Sequence, residues 1–482
     1  MFAAGSSQAA PNFILVLADD LGWSSLSTSL DQTRPEAKSD FYQTPRIDEL
    51  VEMGMRFSNA YAAAPVCSPT RYSIQFGKTP ARLRRTRSTK PNQVDHDQIS
   101  IAQLLKTIDP SYRTAHFGKW HIDFDPGELG YDAHDGITNN KAGGFVDNAT
   151  QWHGHTDGDP KRVHSLTRKA IAFIESAAEE GRPFFLQLSH YAVHSNIEYS
   201  ASSFAQFRER EGGALHSNAG YAAMLLDLDT SVGALLEAYQ ELGLARDTYI
   251  IFTSDNGGMP VIPMQLNLGR PYPRGLNSPL LRGKWDLTEG GIRVPFAIAG
   301  PGIAPGSQSD TPVVSYDLLP TLASLAGGED VLPPDVDGGS LQATLSAPGA
   351  PVERPFAGLV FHYPHYNRVG MNEPHSAIRS GDYKLLHFPV SQRSLLFDLG
   401  ADAGERADLS DQQPQRAREL EAQLTGYLNA VSAERPEEAT KWRSIGKSGQ
   451  VRTKFFQRYG ETEPAATASD PAPQTTSNGT RP

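Results

Sequence analysis

The chain contains a single cysteine, Cys67, among its 482 residues. One cysteine cannot form a disulfide within the chain, and it cannot build a cysteine-rich metal site. No run approaches the roughly 20 consecutive apolar residues that a membrane-spanning helix needs, so we expect no transmembrane segment. Residues 1–10 lack the charged start and the apolar stretch of a complete signal peptide, although 8–10 resembles a cleavage region.

The chain also lacks an excess of basic residues. Lys and Arg number 44 against 55 Asp and Glu, which gives a formal net charge of −11. Nucleic-acid-binding domains are normally basic, so we expect no nucleic-acid partner. The apolar share of 39% and the charged share of 21% are ordinary for a globular protein, and a chain of this length can bury a large core.

Short apolar strands alternate with amphipathic helices over the first two-thirds of the chain. Strands are predicted over 13–17, 112–117, 183–188, 249–252 and 293–299, and helices over 44–54, 100–108, 164–180, 218–242 and 315–326. This alternation predicts an α/β fold with a large, mostly parallel sheet that helices cover on both faces.

The pattern changes after residues 327–352, a segment rich in Gly, Pro and Asp that indicates a linker. Short strands over 356–363, 376–380, 383–388 and 395–399, followed by a helix over 412–431, predict a smaller α+β subdomain with an antiparallel sheet. We therefore assign 11–350 to a catalytic domain, 351–435 to a C-terminal subdomain and 460–482 to a disordered tail.

Polar clusters follow four of the predicted strands, namely Asp19 with Asp20, Lys119 with His121, His190 with His194, and Asp255 with Asn256. Ligands of parallel α/β sheets bind at the carboxyl ends of the strands, so these clusters predict one site. The acidic clusters offer carboxylate and amide oxygens, which suit Ca²⁺, whereas Mg²⁺ usually keeps more waters. Each cluster taken alone could be an ordinary strand-end turn.

Cys67 opens a predicted helix with Pro69 in its first turn, and a helix N-terminus favours an anion. The pattern Cys67-x-Pro69-x-Arg71 resembles the signature of the type I sulfatases, in the alkaline-phosphatase-like superfamily. Further segments resemble motifs of that family and occur along the chain in the same order as in the family. They are 11–23, 118–121 (Gly-Lys-Trp-His), 254–257 (Ser-Asp-Asn-Gly), 282–284 and 289–295 (Glu-Gly-Gly-Ile-Arg-Val-Pro). Segments 361–366, 377–379 and 382–385 resemble the C-terminal subdomain of carbohydrate sulfatases.

The resemblance implies an alkaline-phosphatase-like α/β/α sandwich and hydrolysis of sulfuric esters. It implies that Cys67 is converted to formylglycine (3-oxoalanine) by a formylglycine-generating enzyme or an anaerobic sulfatase-maturing enzyme. The hydrated aldehyde would offer one hydroxyl to attack sulfur and a second one to expel sulfate. One Ca²⁺ would be held by five residues, namely Asp19, Asp20, Cys67, Asp255 and Asn256.

The resemblance also implies roles for basic side chains. Arg71, Lys119 and Lys284 would stabilise negative charge on the sulfate. His121 would assist sulfate release, and His194 would protonate the leaving alcohol. Candidates for the sugar subsite are His190, His362, His365 and Arg379, each with packing inside the fold as the alternative.

Two departures from the family pattern concern the substrate pocket. Trp285 follows Lys284 where the family usually has glycine, and Asn196 stands where it often has proline. Residues 78–90 contain six basic residues, which could guide a polyanionic substrate or could form an ordinary solvated loop.

We therefore expect an exo-acting sulfatase of a sulfated carbohydrate. One alternative is a formylglycine-dependent phosphodiester or phosphonate hydrolase of the same superfamily. The other is a non-catalytic binder of sulfated glycans, in which Cys67 is unconverted. Because sulfated glycans are extracellular, we expect export to the periplasm or the exterior.

Overall fold

The computed structural model describes residues 10–87, 98–146, 154–260, 277–366 and 373–439, so the predicted tail over 460–482 lies outside the described residues. The strands are β1 (Asn12–Ala18), β2 (Met55–Phe57), β3 (Ala60–Tyr61), β4 (Arg113–Gly118), β5 (Ala133–His134), β6 (His155–Thr156), β7 (Phe184–Ser189), β8 (Glu198–Tyr199), β9 (Thr248–Ser254), β10 (Phe296–Ala299), β11 (Ser307–Ser309), β12 (Val313–Val314), β13 (Leu359–Tyr363), β14 (His375–Ser380), β15 (Tyr383–Phe388) and β16 (Arg393–Asp398).

The α-helices are α1 (Pro45–Met53), α2 (Cys67–Phe76), α3 (Pro80–Leu83), α4 (Ile101–Ile108), α5 (Val163–Glu179), α6 (Ala201–Phe207), α7 (Ala219–Glu241), α8 (Glu289–Ile292), α9 (Leu318–Leu325), α10 (Gln342–Ser346), α11 (Pro414–Ala430) and α12 (Pro436–Ala439). The predicted linker thus contains α10. The domain boundaries at 350 and 435 stay a prediction.

The described residues form a central sheet of eight strands in the order β11-β2-β10-β9-β1-β7-β4-β5. Strand β1 pairs in parallel with β7 on one side and β9 on the other. Strand β10 runs antiparallel to both of its neighbours, β9 and β2. The predicted α/β class with a mostly parallel sheet is therefore confirmed.

The two faces of β1 show why helices cover both sides of the sheet. Side chains alternate between the faces of a strand. Ile14 and Val16 join the apolar cluster that holds the buried sides of α1, α5 and α7. Phe13 and Leu15 join the opposite cluster, which holds those of α2, α4 and α9. A strand buried on both faces gives the continuous apolar run that the sequence shows.

Helix α7 is the one described helix that is long and apolar enough to cross a membrane. Its most apolar window is 89% buried inside the fold. Its side chains Leu225, Leu228 and Val232 belong to the cluster on β1.

Strands β13 to β16 form a four-stranded antiparallel sheet in chain order. Successive side chains of each strand alternate between the two faces of this sheet. Phe361 and Leu386 face the main domain, whereas Val360 and Leu385 face α11. The smaller antiparallel sheet of the C-terminal region is therefore confirmed as well. Its inner face also contacts Leu287, in the loop before α8.

A buried ionic network joins the small sheet to the start of α8. Lys384 Nζ of β15 lies 2.9 Å from Glu289 Oε1 and 2.9 Å from Glu405 Oε1, and all three side chains are shielded from solvent. The other Glu405 oxygen accepts a hydrogen bond from the Glu289 backbone N–H at 2.7 Å. Tyr61 donates its hydroxyl to Glu289 at 2.8 Å. One ammonium group is therefore shared by two buried carboxylates, and Arg293 Nη1 lies 3.6 Å from the second oxygen of Glu289.

We predict that Lys384→Met lowers the free energy of unfolding by about 3–5 kcal/mol, because it removes the cation that two buried carboxylates share. Denaturant titration measures this loss. The matched control is Lys106→Met, which breaks the more exposed pair with Asp132 at 2.5 Å. That control should cost at most about 1 kcal/mol. Equal losses for the two variants would contradict a structural role for the buried network.

Candidate active site

The four predicted polar clusters lie together at one edge of the central sheet. Strands β9, β1, β7 and β4 are consecutive neighbours and run parallel, so their carboxyl ends meet. Asp19 follows β1, Asp255 follows β9, and Lys119 follows β4. The loop after β7 is tied to the end of β1, since Asp19 N–H donates to Ala192 O at 2.9 Å and Val193 N–H donates to Asp19 O at 2.7 Å.

The acidic side chains and the cysteine form a compact set of possible metal ligands. One ligand atom each from Asp19, Asp20, Cys67 and Asp255 lies within 4.8 Å of the others, and all four residues are buried. Asn256 donates its amide Nδ2 to Asp20 Oδ1 at 2.7 Å. Its amide oxygen is buried and has no hydrogen-bond partner among the described residues. This set of oxygen donors, with a spare amide oxygen, fits a hard cation such as Ca²⁺.

Each carboxylate of this acidic set is paired with a buried cation. Lys119 Nζ lies 2.5 Å from Asp19 Oδ2, and Lys284 Nζ lies 2.7 Å from each carboxylate oxygen of Asp20. Arg71 Nε donates to Asp255 Oδ2 at 2.9 Å. Three negative and three positive charges therefore balance inside the fold, as buried charges must.

Arg71 also donates to the backbone carbonyl of Lys119, which links α2 to the end of β4. Helix α2 is buried along its whole length and ends at Gly77, whose φ of 64° lies in the left-handed region. Its first residue is Cys67, so the helix fixes the thiol at the edge of the ionic cluster. The Cys67 Sγ atom lies 3.3 Å from Asp19 Oδ1 and 3.6 Å from Lys284 Nζ.

The local charges control the protonation of these groups. Burial alone would lower the pKa of Lys119, but Asp19, Cys67 and Asp255 together more than compensate and raise it. Burial would likewise lower the pKa of Lys284, but the neighbouring acidic groups, chiefly Asp20, raise it. Burial, and then Asp19, raise the pKa of the Cys67 thiol well above its usual value. At neutral pH the lysines are therefore charged and the thiol keeps its proton.

The structure places His194 and His121 around the same cluster. His194 donates its Nδ1 hydrogen to Ser195 O at 2.5 Å, and its Nε2 atom lies 3.8 Å from Asp20 Oδ2. Burial, and then Lys284, lower the pKa of His194 well below its usual value. Burial, and then Lys119, lower the pKa of His121 in the same way.

The two histidines proposed for the sugar subsite in the C-terminal region hydrogen-bond to neighbouring protein groups. The His362 ring bonds to Ser376 Oγ at 2.7 Å and to Glu434 O at 2.8 Å. His365 Nε2 bonds to Thr86 Oγ1 at 2.9 Å. These bonds join the small sheet to surrounding segments, and the substrate-binding role of both residues stays a prediction.

The other two subsite candidates lie in different surroundings. Arg379 donates to Asn59 Oδ1 at 3.0 Å and lies 5.2 Å from the centre of the Tyr61 ring. His190 is fully buried, and neither ring nitrogen has a hydrogen-bond partner in the described part of the chain. Burial, and then His164, lower the pKa of His190 to about 3. Substrate contact stays a prediction for both residues.

The basic run over 78–90 makes several ion pairs. Lys78 Nζ lies 2.6 Å from Asp335, and Arg82 lies 2.7 Å from Asp337. The last basic residue of the run lies outside the described residues. Acidic side chains thus neutralise part of the run, and its proposed guidance of a polyanion stays a prediction.

Lys161 is near the site although sequence reasoning did not single it out. It is buried, donates to Gly143 O at 2.9 Å and lies 4.0 Å from Glu198 Oε1. Burial lowers the pKa of Lys161 to about 8, and the field of Asp19 opposes this shift. No motif or strand end precedes Lys161, so the sequence carries no signal of its position.

Comparisons with known proteins agree with this geometry. Residues 11–328 match the family described as Sulfatase, and residues 283–434 match the family described as N-sulphoglucosamine sulphohydrolase, C-terminal. The chain is 30% identical to arylsulfatase A of Bos taurus over 470 residues, covering 85% of each chain. It is 29% identical to N-acetylgalactosamine-6-sulfatase of Mus musculus, covering 75% of this chain and 70% of that protein.

The fold also resembles a solved structure, that of Ps i-CgsB in complex with k-i-k-neocarrahexaose. The TM-score is 0.71 at 24% identity, and the alignment covers 93% of this chain and 99% of that chain. At this level of identity the likeness concerns the fold.

We predict that Ca²⁺ raises the stability of the protein, because the acidic set forms only in the folded chain. At a concentration one hundred times the dissociation constant, the gain in unfolding free energy should be about 2.7 kcal/mol. Thermal or denaturant unfolding in Ca²⁺ and in chelator measures it. Asp19→Asn should abolish the response, whereas the control Asp335→Asn, outside the acidic set, should keep it. A response that survives Asp19→Asn would contradict this metal site.

Proposed function

Because the chain belongs to the sulfatase family and is a sulfuric ester hydrolase, we propose that it desulfates the ends of a sulfated carbohydrate with formylglycine at position 67 and bound Ca²⁺. One observation carries this proposal. The Cys67 side chain contacts both the acidic set and the Lys284 ammonium group, at 3.3 Å from Asp19 and 3.6 Å from Lys284. A nucleophile formed there would have cation ligands and an anion-binding group within reach.

A carbohydrate substrate is supported by the relatives and by the C-terminal region. One relative is named for a sulfated amino sugar, and residues 283–434 match a family named for another. The matched C-terminal region includes Lys284 as well as the small sheet, so it contributes to the site itself.

Four side chains would hold the cation, namely Asp19, Asp20, Asp255 and Asn256. Bound there, Ca²⁺ would supply positive charge that lowers the pKa of a hydroxyl and stabilises anionic oxygen. Formylglycine would supply a hydrated aldehyde, with one hydroxyl for attack on sulfur and one for release of sulfate. Arg71 holds the orientation of Asp255 through two nitrogens, at 2.9 and 2.7 Å from Oδ2.

The two lysines bind the sulfate group of the substrate. Both ammonium groups are charged and buried beside Cys67, so they interact with anionic oxygen in a medium of low polarity. They are also held in place before the substrate arrives, through Asp19 and Asp20. Preorganised cations of this kind stabilise the charge that develops during ester cleavage.

His194 transfers the proton to the leaving alcohol. Its Nδ1 hydrogen is committed to Ser195 O, so Nε2 is the atom that faces the site. Lys284 lowers the pKa of His194, and a sulfate group bound to Lys284 reverses this effect by placing negative charge beside the ring. Substrate binding therefore favours the protonated ring that the reaction needs.

We also propose that the protein acts outside the cytoplasm, because sulfated glycans are extracellular. Fractionation of the native host tests this proposal. Sulfatase protein confined to the cytoplasmic fraction would contradict it.

Peptide mass spectrometry of protein from the native host tests the modification of Cys67. We predict the mass of formylglycine at this position. The unmodified thiol in every molecule would contradict the mechanism and would favour a non-catalytic glycan-binding protein.

Substrate profiling tests the reaction class. We predict turnover of sulfated mono- and oligosaccharides at terminal sulfates, with little turnover of phosphate and phosphonate esters. Preferred turnover of phosphonate monoesters or phosphodiesters would favour the alternative hydrolase, and release of internal sulfates would contradict exo action.

We predict that His194→Ala lowers kcat for a sulfated sugar by about 10²–10⁴-fold, because an alcohol leaving group needs a proton. The loss should be much smaller for aryl sulfates with acidic phenols, which leave without protonation. The measurement is kcat across a series of leaving groups. His387→Gln, on the small sheet, where the ring bonds to Ser394 Oγ at 3.0 Å, is the control and should not change that dependence. A uniform loss across the series for His194→Ala would contradict its role as proton donor.

A further inference from the structure

Trp285 stands out in the loop that carries Lys284. Every other residue of 283–299, which runs from this loop through α8 to the end of β10, is buried, whereas the Trp285 side chain is partly exposed. Its φ of 76° lies in the left-handed region, which bulky residues rarely adopt. Backbone strain of this kind persists where the surrounding structure holds it, and it is concentrated at functional sites.

The loop holds the indole ring next to the reacting groups. The Trp285 backbone N–H donates to Pro65 O at 2.8 Å, two residues before Cys67. The Lys284 Nζ atom lies 5.7 Å from the centre of the Trp285 ring. The same Nζ atom lies 3.6 Å from Cys67 Sγ. The ring therefore borders the place beside Cys67 and Lys284 where a sulfate group would bind.

The surroundings of the ring leave part of it available to a ligand. One side packs against the apolar cluster of the central sheet and against that of the small sheet. Within the described residues, the indole N–H makes no hydrogen bond. A partly exposed aromatic ring with an unused donor, at the edge of a charged pocket, offers both an apolar surface and a polar contact.

We propose that Trp285 determines specificity by forming a platform for the sugar ring whose sulfate binds beside Cys67 and Lys284. This inference rests on the proposed carbohydrate function and adds the surface that recognises the leaving group. One face of a pyranose carries mainly C–H groups, which are weakly positive, and the face of an aromatic ring is weakly negative. Stacking would also remove apolar area of both rings from water.

The chain offers two informative variants at this position. Trp285→Gly removes the ring, keeps the backbone N–H that bonds to Pro65, and relieves the strain of a positive φ. Trp285→Phe keeps an aromatic face without the indole N–H. Trp285→Gly also loses the packing of the indole against two apolar clusters, so denaturant unfolding serves to confirm that the variant is folded under the assay conditions.

Steady-state kinetics of the matured, Ca²⁺-loaded enzyme tests the platform. For a sulfated monosaccharide we expect Trp285→Gly to lower kcat/KM roughly ten-fold, mainly through KM, because the variant loses the apolar face that the sugar ring would cover. Inhibition by inorganic sulfate should change less than about two-fold, since sulfate needs only the cations. Trp285→Phe should keep most of the wild-type kcat/KM.

Two results would overturn the platform. An unchanged kcat/KM in Trp285→Gly would show that the ring does not contact the sugar. A parallel weakening of sulfate inhibition would show that Trp285 serves only to place Lys284. Failure of the carbohydrate function itself is a separate result, in which the wild type turns over aryl sulfates but no sulfated sugar.

Discussion

The structure depends on the pairing of three carboxylates with three cations at the carboxyl edge of the central sheet. Asp19, Asp20 and Asp255 are buried, and a buried charge must be compensated. Lys119, at the end of β4, pairs with Asp19, and Lys284, in the loop before α8, pairs with Asp20. The acids can bind a cation and the lysines can bind an anion. The ion pairs that stabilise the fold therefore also position the groups for cation binding and for anion binding.

The small C-terminal sheet supports this arrangement from outside the main sheet. Lys384 binds Glu289, which begins α8 five residues after Lys284. The His375 ring also accepts the Leu287 backbone N–H at 3.0 Å. The loop that carries Lys284 and Trp285 is thus fixed between two sheets, and the C-terminal region is part of the active-site framework.

Much of this organisation follows from local sequence. The positions of Asp19, Lys119 and Asp255 directly after predicted strands indicate that these residues lie close together, because neighbouring parallel strands end at the same edge of a sheet. The direction of β10 was not predictable, since a short apolar run does not encode strand direction. The partners of His362 were equally hidden, because they come from Ser376 and Glu434, which only the tertiary fold brings near.

We propose that the paired acids form a Ca²⁺ site on which sulfate release depends. This dependence is measured as sulfate release from a sulfated sugar by metal-stripped protein during titration with Ca²⁺. We predict that turnover is lost in chelator and recovers when elemental analysis finds one bound Ca²⁺ per chain. Full turnover by protein that contains no metal would contradict this metal dependence.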